Sequence, residues 1–267
     1  MKHRGSELGS LSSQFFAYIQ LKKKDIIRTG EIAPVLGLTS VQERKLLFRL
    51  ADSGWIVRLK RGVYLSPSRL PAGGRYGPGA ALMLQKLMVE IEATYQICGP
   101  TAFNFHGFTE QISNVTYVYN DRISGARTIG GLQFLFIKIA CTRLGSTLAV
   151  KIPEGSQVVY GSKVRTLMDT VYDWSRFNSL PIGYDWIRQA TQANGQLVSA
   201  LIRDAIQYGN QATVRRTGYL LDSLGVSKRT LKWLQHELAN SQSLIPWIPG
   251  RSNKGSINRR WGVIVNG

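Results

Sequence analysis

The clearest hydrophobic pattern in the chain lies in TSVQERKLLFRLADSG, residues 39–54. Thr39 with Gln42, and Ser40 with Glu43, make two overlapping capping boxes, and Gly54 is a natural stop, so the stretch predicts one helix. At about 100° per residue from Ser40, the positions Leu46, Leu47, Phe48, Leu50 and Ala51 run from about 240° through zero to about 80°. Gln42, Lys45 and Arg49 fall on the opposite side, at about 200°, 140° and 180°, while Arg44, at about 40°, falls among apolar neighbours. One face is expected to be core. The other carries side-chain types that bond to bases or phosphates.

The flanking patterns give this helix a setting. LSSQFFAYIQLKK (11–23) has helical spacing, TGEIAPVL (29–36) predicts a short helix with Thr29 as its cap, and LGLT (36–39) predicts a tight turn. Two short apolar runs, WIV and VYL, then flank RLKRG, so Arg58, Lys60 and Arg61 sit on a predicted hairpin tip with Gly62 in its turn. Helix, short helix, turn, capped helix, basic hairpin is the order of a winged helix-turn-helix. In that arrangement the second helix of the motif enters the DNA major groove and the hairpin grips the backbone beside it.

Residues 66–79, SPSRLPAGGRYGPG, are rich in Pro and Gly and mark the expected boundary, with 69–79 as linker. A helix is predicted at 80–94 and a short one in CGPTAFNFHGF (98–108). NVTYVYN (114–120), LQFLFIKIA (132–140), STLAVKI (146–152) and SQVVYGS (156–162) predict a small sheet. SKVRTLMDTVYDW (162–174) returns to helical spacing. Four helical stretches follow from about 183, the third starting near Gln211 and breaking at Gly225, and SLIPWIP and RRWGVIVN predict closing strands. The expected fold class is α+β: a winged helix-turn-helix over 1–68, the linker, then a mixed domain over 80–267. Within that domain the central sheet spans about 95–175, the helical part about 180–240 and the terminal strands about 243–266.

Charge supports this division. The net charge is +18. Residues 1–70 hold 13 Lys and Arg against 5 Asp and Glu, residues 71–175 hold 9 against 7, and residues 176–267 hold 12 against 4. Two basic ends around a near-neutral middle point to a polyanion or an acidic protein surface. Arg215 and Arg216 are consecutive, so at most one is expected to enter a bundle core. With Arg251, Lys254, Arg259 and Arg260 they are candidates for contact with such a surface.

Motifs for chemistry are sparse. His3, His106 and His236 share no metal-ligand spacing with Cys98 or Cys141, which are read as reduced, semi-buried thiols. Asp169 and Asp173 lie one helical turn apart and are read as a solvated face. GGRYGPG is followed by no GKS or GKT, which argues against a phosphate loop. Neither a secretory signal nor an apolar run of about 18 residues is present, so a cytoplasmic protein is expected, and, with these motifs lacking, no cofactor or metal is expected. The expectation is a protein that is not an enzyme.

Three pieces in order carry a resemblance. LADSGWIVRLKRGVYLSP is similar to the wing of AbiEi-type antitoxins, from type IV toxin–antitoxin systems. SKVRTLMDTVYDW resembles that family's RTLLD-like helix, and VRRTGYLLDSLG with RRWGVIVN resembles its RRxGxLL helix and closing strand. The resemblance implies a repressor of its own operon that binds promoter inverted repeats in double-stranded DNA. It also implies an antitoxin that neutralises a nucleotidyltransferase-like toxin. On that reading Gln42, Lys45 and Arg49 read bases, Ser40 and Arg44 help at the helix start, and Arg58, Lys60 and Arg61 hold phosphates. The alternative is a winged-helix regulator whose C-terminal domain senses a ligand and has no toxin partner.

Overall fold

The computed structural model describes residues 9–71, 74–238 and 243–266 of the chain. His3 and positions 72–73 of the predicted linker lie outside the described residues. The fold is mixed α+β, with eleven α-helices and three sheets among the described residues. Packing divides it into two units. The first takes in the described residues up to Ala93, with 126–134 and 151–158; the second holds the remainder.

The first unit begins with α1 (Ser10–Lys22), β1 (Ile26–Arg28), α2 (Ala33–Leu36) and α3 (Ser40–Asp52). The hairpin strands β2 (Val57–Lys60) and β3 (Val63–Leu65) follow, then α4 (Ala80–Glu90). β3 lies between β1 and β2 and pairs antiparallel with both, which brings Ile26 and Val57 opposite Leu65. α1 buries Phe15, Phe16 and Ile19 on one face, as helical spacing dictates, against Ile27, Ile32, Leu46, Leu47, Leu50, Trp55 and Ile56.

Two local expectations are corrected here. β1 stands where no element was predicted. The helix expected over 29–36 spans only Ala33–Leu36, because the Thr29 backbone N–H donates to the Gly62 carbonyl at 2.9 Å and continues the sheet rather than capping a helix. The unit boundary also differs from the predicted linker, because α4 is pinned to the first unit. Arg28 Nε donates to Glu90 Oε2 at 3.1 Å, Lys60 Nζ donates to the Glu90 carbonyl at 3.2 Å, and Lys86 pairs with Asp25.

Along the chain, β4 (Tyr95–Ile97) and α5 (Gly99–Phe105) precede β5 (Val115–Asn120), β6 (Gly125–Ile129), β7 (Leu132–Lys138), β8 (Thr147–Lys151) and β9 (Gln157–Gly161), with 126–134 and 151–158 counted in the first unit and the rest in the second. β4 to β9 form one six-stranded sheet in the order β6-β7-β5-β4-β9-β8, and β4 runs antiparallel to β5 and parallel to β9. The four predicted apolar runs became β5, β7, β8 and β9. β4 and β6 were not foreseen, being a short run and a polar one.

α6 (Lys163–Tyr172) is buried through its middle and meets α7 (Trp174–Phe177), α8 (Ile182–Ala193), α9 (Gln196–Tyr208) and α10 (Gln211–Ser223). α11 (Lys228–His236) packs on α9 and α10. The carboxylates read as a solvated face are not one. Asp169 is buried and pairs with Arg165, whose Nε lies 2.9 Å away, and burial pushes the Asp169 carboxyl up to about 6. Asp173 accepts from the Tyr119 hydroxyl at 2.9 Å and from Arg176. The RTLMD run is therefore an internal i,i+4 ion pair on a core helix. Cys98 is buried and Cys141 exposed, rather than both half-buried.

A small closing sheet, β10 (Ile245–Pro246), β11 (Ser256–Asn258) and β12 (Val263–Val265), is fastened to α10. Arg215 Nη1 donates to the Ser243 carbonyl at 2.7 Å, and Arg216 Nε and Nη2 donate to the Pro246 carbonyl at 3.2 and 3.1 Å. Trp261 Nε1 donates to Asp222 Oδ2 at 2.9 Å, and Arg260 Nη1 donates to Asp222 Oδ1 at 2.7 Å. Gly218 makes the approach possible: a Cβ there would lie 2.2 Å from the Trp261 ring. Gly218→Ala is expected to cost about 3 kcal/mol in the stability of the second unit, read by urea unfolding followed through tryptophan fluorescence. A cost near zero would mean that the ring does not sit on α10.

Candidate nucleic-acid interface

The site is built from the short turn that sets α3 against α2. Thr39 caps α3 with the predicted box: its side chain accepts from Gln42 N–H, and Gln42 Oε1 accepts from Thr39 N–H at 2.8 Å. The second predicted box, Ser40 with Glu43, does not form. Glu43 is fully buried and turns inward instead. Its Oε2 accepts from Gly30 N–H at 2.7 Å, and its Oε1 accepts from Ile32 and Ala33 N–H at 2.8 and 3.1 Å. Those N–H groups lead into α2, whose first turn has no intrahelical acceptor for them. One carboxylate thus satisfies three backbone donors and locks α2 onto α3.

Its burial resets the helix axis. The buried positions are Glu43, Leu46, Leu47 and Leu50, centred at about 290° on the same wheel. The direction facing away from the core is then about 110°, where Val41, Lys45 and Phe48 lie. Phe48 was expected in the core and is 63% exposed; Val41 is 52% exposed. The outward direction lies roughly a sixth of a turn from the predicted strip of Gln42, Lys45 and Arg49, because Glu43 takes a place in the core and Phe48, expected there, does not.

The predicted contact residues fall out as follows. Ser40, Gln42, Arg44, Lys45 and Arg49 are all exposed on α3. Arg44, ranked behind the others by the predicted wheel, stands fully outside the core and donates Nε to the Ser40 carbonyl at 3.1 Å. Gln42 has its carbonyl oxygen engaged in the cap, which leaves its amide N–H groups to face outward. On the hairpin, Arg58 and Arg61 are exposed, and Gly62 takes a left-handed φ of +77° at the turn. Lys60 is half-buried and gives one of its three donors to the end of α4. α3 and the hairpin therefore bring five outward cations, Arg44, Lys45, Arg49, Arg58 and Arg61, into the first unit. An open groove along α3 is lined by Leu11, Leu38, Val41, Arg44, Lys45 and Phe48. Its apolar lining was missed, although Val41 at about 100° on the predicted wheel already pointed to it.

The second basic cluster does not assemble as expected. Arg215 and Arg216 are both buried and spent on main-chain carbonyls, which corrects both their candidacy and the expectation that only one would turn inward. The reason is that the 243–246 segment crosses α10 and receives both side chains. Arg260 is held by Asp222 and Gln235. Arg251, Lys254 and Arg259 are exposed. His106 is half-buried with Nε2 2.8 Å from the Gly161 carbonyl, and burial lowers its pKa. Among the described residues, no group of three or more His, Cys, Asp and Glu side chains gathers as a metal site, and no helix is long and apolar enough to cross a membrane.

Residues 17–67, from α1 through the hairpin, match the family model described as transcriptional regulator, AbiEi antitoxin. The resemblance seen in the hairpin is borne out over that stretch. The α6 and α10 motifs lie beyond it. The fold is similar to the crystal structure of the RV2827C protein from Mycobacterium tuberculosis, with a TM-score of 0.60 at 13% identity, covering 97% of this chain and 92% of that one. No curated protein sequence matches the chain.

Glu43→Ala leaves three backbone donors without their acceptor and is expected to destabilise the first unit by about 3 kcal/mol. Glu43→Gln, which keeps one acceptor oxygen, should cost less. Urea titrations of the two variants check this, and a loss below about 1 kcal/mol for the alanine variant would contradict the role of the carboxylate.

Proposed function

We propose that the chain is a DNA-binding transcriptional repressor of its own operon, and that its first unit is a winged helix-turn-helix. α3 enters the major groove, and the β2–β3 hairpin is the wing that holds the flanking phosphates. The observation that carries this reading is the joint exposure of Arg44, Lys45, Arg49, Arg58 and Arg61 on α3 and on the adjacent hairpin. Gln42 supplies amide donors beside them and Ser40 supplies a hydroxyl at the helix start. The match of residues 17–67 to a family of transcriptional regulators supports the same reading.

The second half of the proposal is that the protein is also an antitoxin for a nucleotidyltransferase-like toxin and is not itself an enzyme. It is supported by the AbiEi description and by the exposed Arg251, Lys254 and Arg259 of the second unit, which suit an acidic protein surface. A second reading keeps the winged repressor and gives the second unit a small-ligand sensor. A cleft beside β5 lined by Phe103, Tyr117, Phe177 and Trp186 favours it. Co-expression with the product of the neighbouring gene separates the two, since only the antitoxin reading predicts rescue of growth.

Arg58→Ala with Arg61→Ala should weaken binding to a fragment of its own promoter and to a scrambled fragment by similar factors. It should also lower the slope of log affinity against log salt by about 2, roughly one unit per phosphate contact. Arg49→Ala should instead reduce the preference for the promoter. A wing double variant with unchanged affinity and slope would remove the hairpin from the interface.

A further inference from the structure

The outward ridge of α3 is partly apolar, and folding does not require it to be. Val41 and Phe48 are 52% and 63% exposed, two turns apart on the side facing away from the core, with Lys45 between them. Leu11 and Leu38 extend the same groove at the start of the helix. Arg44 and Arg49 flank the ridge. An exposed apolar ridge bordered by cations suits a partner that is polyanionic at its edges and apolar at its centre.

Resting on the DNA-binding reading above, we infer that Val41 and Phe48 recognise the C5-methyl groups of thymines in the major groove. Thymine is the base whose major-groove edge offers an apolar group, and aliphatic and aromatic side chains are the types that meet it. The cations on either side place phosphates of both groove walls where an α3 lying in the groove would meet them. The operator is then expected to carry thymines opposite Val41 near the start of α3 and opposite Phe48 two turns on, at positions where hydrogen-bond readout by Gln42 or Arg49 supplies nothing.

The test is atomic. The full-length protein is titrated against a fragment of its own promoter made with thymine, the same fragment made with uracil, and a scrambled control. Uracil pairs as thymine does but lacks the C5-methyl. Wild-type affinity should fall about fourfold for each methyl in contact. The Val41→Ala/Phe48→Ala variant changes two solvent-facing side chains, so its thermal unfolding should match wild type. It should bind the thymine fragment more weakly and lose the discrimination against uracil. Equal wild-type binding to thymine and uracil fragments, with preference over the scrambled control retained, overturns this inference alone. A variant that keeps the full uracil penalty also overturns it, since the penalty would then come from DNA shape. If the variant instead converts a wild-type dimer to monomer without DNA, the ridge is a contact between copies and the inference fails. No preference for the promoter at any salt would fell the DNA reading and this inference together.

Discussion

The buried carboxylate of Glu43 fixes how α2 stands against α3, and the first unit's outward surface follows from it. Three backbone N–H groups converge on it, and no lysine or arginine is bonded to it among the described residues. Burying a carboxylate is tolerable only when its oxygens are fully bonded. Here the donors are main-chain groups that would otherwise be stranded at the entrance to a four-residue helix. Because that side chain faces in, Phe48 faces out, and the helix presents a ridge of Val41, Lys45 and Phe48 edged by arginines.

The second unit solves a related problem with cations. Arg165, Arg215 and Arg216 are all buried. Arg165 pairs with Asp169 and lies over the Tyr208 ring, its carbon Cζ 4.6 Å from the centroid. Arg215 and Arg216 hold the chain after residue 243 against α10. Replacing one partner of such an arrangement is costly because the other is left buried and unpaired. Part of the strong positive charge of the C-terminal third is thus internal, which leaves Arg251, Lys254 and Arg259 among the cations offered to a partner.

Much of this could be read from the chain, and the failures have two causes. Helices such as α3, α9 and α10 announce themselves by apolar spacing, caps and a glycine stop, and their predicted limits lie within a few residues of those found. β1 and β4 span three residues each and offer no periodicity to detect. The misplaced residues, Phe48, Glu43, Asp169, Arg215 and Arg216, are cases where a polar side chain is inside or an apolar one outside. Residue type alone predicts burial only where no partner meets the polar group. Each of these polar groups is buried because a backbone group or an opposite charge distant in sequence, or a turn away on the helix, meets it. The predicted cations of α3 and the hairpin, Lys60 apart, are exposed as their pattern places them, because an exposed cation needs no partner to stay there.

Hydroxyl-radical footprinting of the full-length protein, with and without saturating promoter DNA, tests the central claim most directly, since it reads side-chain exposure residue by residue. Phe48 on α3 and Trp233 on α11 are both largely exposed, at 63% and 71%, and both are reactive. Promoter DNA is expected to suppress oxidation of Phe48 and to leave Trp233 unchanged. Oxidation of Phe48 that persists at saturation, above all with Trp233 protected, would contradict it and move the nucleic-acid interface away from α3.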